Sequence, residues 1–143
     1  MESANDRVVR IGGMTLRFRV DETQGAGDLV MFEFEVLPKA RVPVAHFHRD
    51  VDEAVYGLHG TLTTTVDGVR HEVGPGDVVF IPRGAVHLHE NLHEHAARAL
   101  VVLTPGTIGR RYFEEVAAEA TAPGGPNPAR MKDIMTRHGL IPA

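Results

Sequence analysis

The sequence contains no cysteine and a single serine. Without cysteine, the chain has no disulfide, no thiolate metal ligand and no cysteine nucleophile. Because Ser3 is the only serine, a serine-based catalytic triad is not credible either. The lack of cysteine is typical of proteins in a reducing compartment, and we expect the chain to be cytoplasmic.

Strong positive charge and long apolar runs are also absent. The net charge is -4 with neutral histidines, so there is no basic field to hold nucleic acid or an anionic membrane surface. No apolar run approaches the roughly 20 residues needed to span a bilayer. The N-terminal stretch MESANDRVVRIGG lacks the apolar segment of a secretion signal. We therefore expect neither nucleic acid nor a membrane as a partner.

Most of the chain, from Val8 to Thr104, has the pattern of short strands separated by turns. Residues 14–20 alternate apolar and polar side chains, as in a half-buried strand. Asp67-Gly68 lies between two such runs and indicates a hairpin turn with positive φ at both residues. Many short strands with no helical pattern between them favour a sandwich or barrel. The other expected strands are 29–37, 42–48, 53–59, 61–66, 69–73, 78–81, 85–89 and 98–104.

The pattern changes near the end of the chain. An apolar stripe from Tyr112 to Ala120 has helical spacing, and a Pro- and Gly-rich break at 121–126 separates it from a second stripe. Asn127 can cap this second helix, with Pro128 at its first position. Gly139 suits a left-handed C-cap. Two short helices of this kind either close a barrel end or pack on its outside.

Histidine is the unusual component of the composition, with nine residues. His46 and His48 are two residues apart, so on a strand both imidazoles point to one face and can meet one ion. Glu53 follows the short polar turn 49–52, which would bring its carboxylate back beside them. His87 is distant in the chain, so only a closed fold could bring it to the same place. Imidazoles with one carboxylate suit Fe, Mn, Co, Ni, Cu or Zn.

The residues around these histidines resemble the two conserved motifs of the cupin superfamily. His46 to Gly60 follows the spacing of the first motif, and fifteen residues, 61–75, separate it from the second, as in small microbial cupins likened to quercetin dioxygenase. Ala40 stands where the first motif has a glycine, a difference that affects a turn and not a ligand. The second motif is complete and comprises Gly76, Pro82, Gly84, His87 and Asn91.

The resemblance implies an all-β fold, the cupin double-stranded β-helix or jelly-roll barrel, here with two short C-terminal helices. We expect one domain, with the barrel over residues 1–108 and a helical tail over 109–143 packed on it. The resemblance also implies one divalent transition metal ion inside the barrel, with Fe or Mn favoured and Ni, Zn, Co or Cu as alternatives. The ligands implied are His46, His48, Glu53 and His87.

Three residues are candidates for proton transfer. Glu53 could leave the ion briefly to accept a proton. His89 shares the strand parity of His87, and His59 shares that of Glu53, so each could act as a base or orient a ligand. For both histidines a structural or surface role is the alternative.

Other residues carry weaker hypotheses. His93 and His95 lie in a polar loop and are most simply solvated, although a second ion there is conceivable. Four aromatic side chains at strand spacing could shape a pocket or belong to the plain core. They are Phe32, Phe34, Phe47 and Tyr56.

Two classes of function remain open. The first is a metal-dependent enzyme, with an oxygenase as the leading hypothesis, acting on a small enolic, hydroxy-keto or aromatic compound that suits a water-excluding apolar barrel. Isomerase, cyclase and decarboxylase chemistry are alternatives within that class. The second is a non-catalytic module that binds or senses a small molecule.

Cupins commonly dimerise through barrel strands, and strands around Val8–Val20 could form a homodimer, which would protect an edge strand.

Overall fold

The structure is a computed structural model that describes residues 7–41 and 44–143, and these residues form eleven strands and two helices. The helices are α1 (Arg110–Ala120) and α2 (Pro128–Arg137). The strands are β1 (Val8–Ile11), β2 (Met14–Val20), β3 (Val30–Val36), β4 (His46–His48), β5 (Asp52–His59), β6 (Leu62–Val66), β7 (Val69–Val73), β8 (Val78–Ile81), β9 (His87–Glu90), β10 (Ala97–Thr104) and β11 (Leu140–Pro142).

The strands form two antiparallel sheets. The six-stranded sheet has the order β1-β2-β3-β10-β5-β8, and the five-stranded sheet has the order β11-β4-β9-β6-β7. Because the chain crosses repeatedly between the sheets, strands that are distant in sequence become neighbours, as in a jelly roll. The predicted all-β jelly-roll barrel with two short C-terminal helices is confirmed.

The core lies between the inner faces of the two sheets and continues under the helices. Alternate residues of β3 are buried, in agreement with the alternation of apolar and polar side chains in a strand. The Phe32 ring lies 5.2 Å from the Phe18 ring and 5.4 Å from the Phe113 ring, measured between centroids. These aromatic contacts fix α1, which carries Phe113, against the barrel.

Several local predictions agree with the structure. Asp67 and Gly68 have φ values of 47° and 81°, so both turn residues are left-handed and join β6 to β7 in a hairpin. The Asn127 side chain accepts a hydrogen bond from the Arg130 amide at the start of α2. The predicted strand 42–48 is confirmed only over β4, and its residues 42 and 43 lie outside the described residues.

The helical tail adds a strand that the sequence pattern does not predict. After α2 ends, Gly139 has a φ of 84° and redirects the chain into β11. β11 pairs antiparallel with β4, so that Leu140 lies opposite His48 and Pro142 opposite His46. The tail is therefore part of the five-stranded sheet as well as a pair of helices.

One sheet edge and the two helices are relevant to the predictions about partners, namely a second copy of the chain and no membrane. Among the described residues, β1 forms one edge of the six-stranded sheet. A homodimer that pairs this edge stays a prediction. Neither helix in the described part of the chain has the length and apolar character needed to cross a membrane.

The N-terminus of α1 is capped by a residue from another part of the chain. Gly109, at the N-cap position, offers no side chain, and the Glu22 carboxylate instead accepts hydrogen bonds from the Arg110 and Arg111 amides at 2.9 and 3.0 Å. A Cβ atom on Gly109 would lie 2.3 Å from the Glu22 carboxyl carbon, so glycine leaves room for the cap. The negative charge also complements the positive end of the helix dipole.

Replacing Glu22 with alanine should lower the free energy of unfolding by about 1 kcal/mol, because two amides lose their acceptor and the helix end loses its compensating charge. Urea denaturation followed by circular dichroism measures this difference. Glu94→Ala is the matched control, since it removes an exposed carboxylate that pairs with Lys39 at the surface. Equal stability of Glu22→Ala and Glu94→Ala would contradict the capping role.

Candidate metal centre

Three histidines meet where β4 and β9 pair inside the barrel. His46 and His48 are both buried on the inner face of β4, as their spacing predicts. His87 begins β9, and its register partner across the two strands is His46. The closed fold therefore places His87 beside the other two histidines, as predicted.

The three imidazole rings lie close together, and hydrogen bonds orient two of them. Their centroids lie 4.6 Å apart for His46 and His87, 4.8 Å for His48 and His87, and 5.2 Å for His46 and His48. His46 Nδ1 donates to the Val44 carbonyl and His87 Nδ1 to the Ala85 carbonyl, both at 3.0 Å. Since Nδ1 carries the proton in these two rings, their Nε2 lone pairs are free to bind a cation.

Glu53 reaches the same place from the opposite sheet. It lies on β5 and is 5% exposed. Its Oε1 atom is 3.7 Å from His87 Nε2 and 3.9 Å from His48 Nε2. Its Oε2 atom accepts a hydrogen bond from His89 Nε2 at 2.8 Å. The predicted turn between β4 and β5 thus returns the carboxylate to the histidines.

Burial sets the charge state of this cluster. Loss of water around the rings lowers the pKa of His46, His48 and His87 from the usual 6.5 to about 4, so all three are neutral near pH 7. Burial alone would raise the pKa of Glu53, but the hydrogen bond from His89 and the nearby histidines hold it well below its usual range. Neutral imidazoles beside an ionised carboxylate form a donor set that fits a divalent transition metal ion.

Two overlapping groups of buried residues could hold such an ion. Within each group the potential ligand atoms all lie within 4.8 Å of one another. One group is His46, His48 and His87, and the other is Glu53, His87 and His89. The four ligands expected from the sequence are therefore brought together, with His89 beside them. Their role as metal ligands remains a prediction.

His59 does not belong to this cluster. In the pairing of β5 with β10, Ala99 opposes Gly57 but Arg98 opposes His59, so one extra residue of β5 lies between the two pairs. Such a bulge ends the regular alternation of the strand. His59 is exposed and is absent from the cavity lining, unlike Glu53. The expectation that His59 shares the face of Glu53 is wrong, and its role as a base stays a prediction.

The loop histidines lie on the outside of the barrel. His93 Nε2 is hydrogen-bonded to Glu72 Oε2 at 2.7 Å, and His95 is exposed. In the described part of the chain, neither joins a group of three possible ligands. The structure gives no support to a second ion at this loop.

A largely apolar cavity extends from the cluster to the helical tail. Phe32 and Phe34 line it, whereas Phe47 does not and Tyr56 is 46% exposed on the surface. The sequence predicts the apolar stripes of the tail but not which of their residues reach the cavity, because this depends on how the helices dock. The tail residues that line it are Tyr112, Phe113, Val116, Met131, Met135 and Leu140.

Thr64 is a further site residue that the sequence does not indicate. It is fully buried on β6, directly opposite His89 on β9, and its hydroxyl is 2.9 Å from His89 Nδ1. Threonine is common in strands, so nothing in the local pattern distinguishes Thr64 from its neighbours. Only the cross-strand register assigns it to the site.

Comparison with known proteins connects this geometry to one family. The family model described as "Cupin domain" matches residues 32–103. Quercetin 2,3-dioxygenase of Bacillus subtilis is 35% identical over 69 residues, which is 48% of this chain but only 20% of that protein. The tetracenomycin polyketide synthase protein TcmJ of Streptomyces glaucescens is 27% identical over 118 residues, covering 80% of this chain and 78% of TcmJ.

A solved structure gives a similar result. The polyketide cyclase RemF of Streptomyces resistomycificus superposes with a TM-score of 0.61 and 32% sequence identity. The match covers 73% of this chain and 78% of RemF. Both the barrel and the sequence of this chain are therefore similar to those of RemF over most of their lengths.

Acidification should destabilise the metal-free protein. Unfolded histidines take up protons near pH 6.5, whereas folded His46, His48 and His87 do so only near pH 4. The unfolded state therefore binds more protons throughout this window, and stability that is present above pH 6.5 is lost as the pH falls toward 4. The loss is at most about 1.4 kcal/mol per pH unit for each histidine.

Urea unfolding in the presence of a chelator, repeated between about pH 7 and pH 4, measures this slope. His48→Gln should reduce the slope by about one proton. His59→Gln, at an exposed position, is the matched control. An identical slope in wild type and His48→Gln would contradict the assignment.

Proposed function

This chain belongs to the cupin family, and we propose that it is a metal-dependent enzyme acting on a small enolic or phenolic compound. The observation that carries the proposal is a buried cluster of three neutral imidazoles and one ionised carboxylate at the polar end of an otherwise apolar cavity. A cluster with perturbed pKa values inside a cavity is characteristic of functional sites.

The proposed ligands are His46, His48 and His87 through Nε2, with Glu53 as the carboxylate ligand. The donor set suits Fe, Mn, Co, Ni, Cu or Zn, and the supply of metal in the cell selects among them. When bound there, such an ion would supply Lewis-acid chemistry toward an enolic or carbonyl oxygen.

The remaining residues would bind the substrate, and Glu53 would accept a proton from it. The aromatic and aliphatic walls would hold a flat ring and exclude water from the polar end. Glu53 is the proposed proton acceptor. Its Oε2 atom uses one lone pair for His89, and its second lone pair can take a proton from a substrate hydroxyl.

The size of the cavity limits what can enter. Its volume is about 90 Å³, whereas a single water needs roughly 10–15 Å³ on the same measure. A small ring compound suits this space. A multi-ring substrate would require α1 and α2 to move outward, since both helices contribute to the wall.

Among the possible reactions, we favour a cyclisation or isomerisation by proton transfer. The support is that TcmJ, a polyketide synthase protein, and RemF, a polyketide cyclase, match this chain over most of their lengths. Oxygenase chemistry is the second candidate, supported by the 35% identity with quercetin 2,3-dioxygenase, although this match covers only about half of the chain.

Protein purified without chelator and without a metal-binding tag should contain about one equivalent of a divalent transition metal per chain. His48→Ala and His87→Ala should each lose most of it, because each removes one ligand. Elemental analysis of the three proteins measures this, and the dominant element separates iron or manganese from zinc.

His59→Ala is the matched control for the metal measurement, since it removes an exposed histidine outside the cavity. It should retain the metal content of the wild type. Absence of metal from the wild type, even after reconstitution with iron, manganese, nickel and zinc, would refute the metal site.

When the metal-loaded protein is tested against a panel of enolic and phenolic compounds, we expect it to convert at least one of them in the absence of oxygen. Glu53→Gln should lower kcat by about 100-fold or more, because the proton acceptor is lost. Product analysis under anaerobic and aerobic conditions, with an oxygen electrode, measures both points. Turnover only with stoichiometric oxygen uptake would favour the oxygenase. Binding without turnover under any metal would make the chain a binding module and overturn the enzyme proposal.

A further inference from the structure

We propose that His89, anchored by Thr64, is a positioning residue that turns Glu53 so that only one carboxylate oxygen, Oε1, faces His48 and His87. The inference rests on the proposed metal site and adds to it. It assigns His89 an orienting role instead of a role as ligand or base, and it gives Thr64 a function in the site.

Both ring nitrogens of His89 are already engaged. Nε2 lies 2.8 Å from Glu53 Oε2, and Nδ1 lies 2.9 Å from Thr64 Oγ1. A carboxylate can only accept, so Nε2 carries the proton it donates to Glu53. In contrast, His46 and His87 each use only Nδ1 for a backbone carbonyl. His89 would have to break a buried hydrogen bond to bind an ion.

The ring of His89 is also held in place by its surroundings. His89 is two residues after His87 on β9, so both side chains point into the cavity. Thr64 is its cross-strand partner on β6 and is fully buried. The Phe34 ring packs against the His89 ring with 5.8 Å between centroids. Contacts at Nδ1, at Nε2 and on Phe34 therefore leave the ring a single orientation.

The orientation of His89 determines that of the Glu53 carboxylate. With Oε2 bonded to His89, Oε1 is the oxygen directed at His48 Nε2 and His87 Nε2, at 3.9 and 3.7 Å. Turning the carboxylate to offer both oxygens would break the bond to His89. It would also leave the Nε2 hydrogen buried without an acceptor, which is unfavourable.

With a single oxygen from Glu53, the coordination sphere of a bound ion would stay open. Three imidazoles and one oxygen supply four donors, and ions that accept five or six retain positions for substrate oxygens. A carboxylate that bound through both oxygens would occupy one of these positions. Thr64 and His89 would therefore control how many substrate atoms the ion can accept.

Cobalt(II) binding tests this inference, because the visible bands of cobalt(II) report coordination number and geometry. In His89→Leu the bands should shift and change in intensity by about twofold or more, since Glu53 becomes free to bind through both oxygens. Cobalt affinity, measured by competition with a chelator, should fall by about 10- to 100-fold. His89→Gln, whose amide can still donate to Glu53, should restore a spectrum close to that of the wild type.

Thr64→Val tests the anchor alone, because it removes the hydroxyl with little change in shape. Its spectrum should move toward that of His89→Leu. Thr63→Val is the matched control, since the neighbouring hydroxyl is equally buried but bonds Glu72 instead. It should keep the wild-type spectrum. If His89→Leu fails to fold, the comparison of the cobalt spectra of Thr64→Val and Thr63→Val tests the inference instead.

A double-mutant cycle separates positioning from packing. In a Glu53→Gln background, His89→Leu should change the cobalt spectrum no further. An equal change in both backgrounds, or wild-type spectra for both His89→Leu and Thr64→Val, would overturn the inference while leaving the metal site intact. Failure of the wild type itself to bind cobalt would overturn the proposed metal site and this inference together.

Discussion

Glu53 carries a negative charge in a cavity whose walls, apart from four histidines beside it, are almost entirely apolar. A carboxylate in such surroundings is unstable unless hydrogen bonds or a positive charge compensate for the loss of water. Within the described chain, the hydrogen bond from His89 supplies part of this compensation, while the adjacent rings of His48 and His87 lie 3.9 and 3.7 Å from Oε1. The same rings are neutral near pH 7 because burial lowers their pKa, so a bound cation would complete the charge balance.

This arrangement depends on the register of both sheets. Glu53 belongs to the six-stranded sheet, where its partners are Leu103 on β10 and Ile81 on β8. His46 and His87 belong to the five-stranded sheet and are partners of each other. A slip of one residue in the pairing of either strand set would turn Glu53, or the histidines, from the inner face of its sheet to the outer face. The apolar core that fixes the register therefore also fixes the distances within the site.

The sequence predicts the parts of this arrangement that follow from local periodicity or from motif spacing. The two-residue spacing of His46 and His48 places them on one face, and the resemblance to cupins adds Glu53 and His87. Local periodicity fails where tertiary structure changes it. The parity rule placed His59 beside Glu53, but a bulge at the end of β5 interrupts the alternation.

Other features depend on contacts between distant segments and leave no local pattern. Glu22 caps α1 across 88 residues of chain, and Thr64 meets His89 only through the pairing of β6 with β9. β11 consists of three residues that include a proline, which weakens any strand signal. These features become visible only once the barrel is closed.

The C-terminal tail couples the end of the chain to the candidate metal centre. β11 pairs with β4 along its whole length, so it supports the strand that carries His46 and His48. Leu140 of β11 lines the cavity together with residues of α1 and α2. The match to the cupin family ends at residue 103, before any of these elements. The barrel therefore supplies the proposed ligands, while the tail shapes the opposite wall, and changes in the tail can alter which compound fits without altering the ligand set.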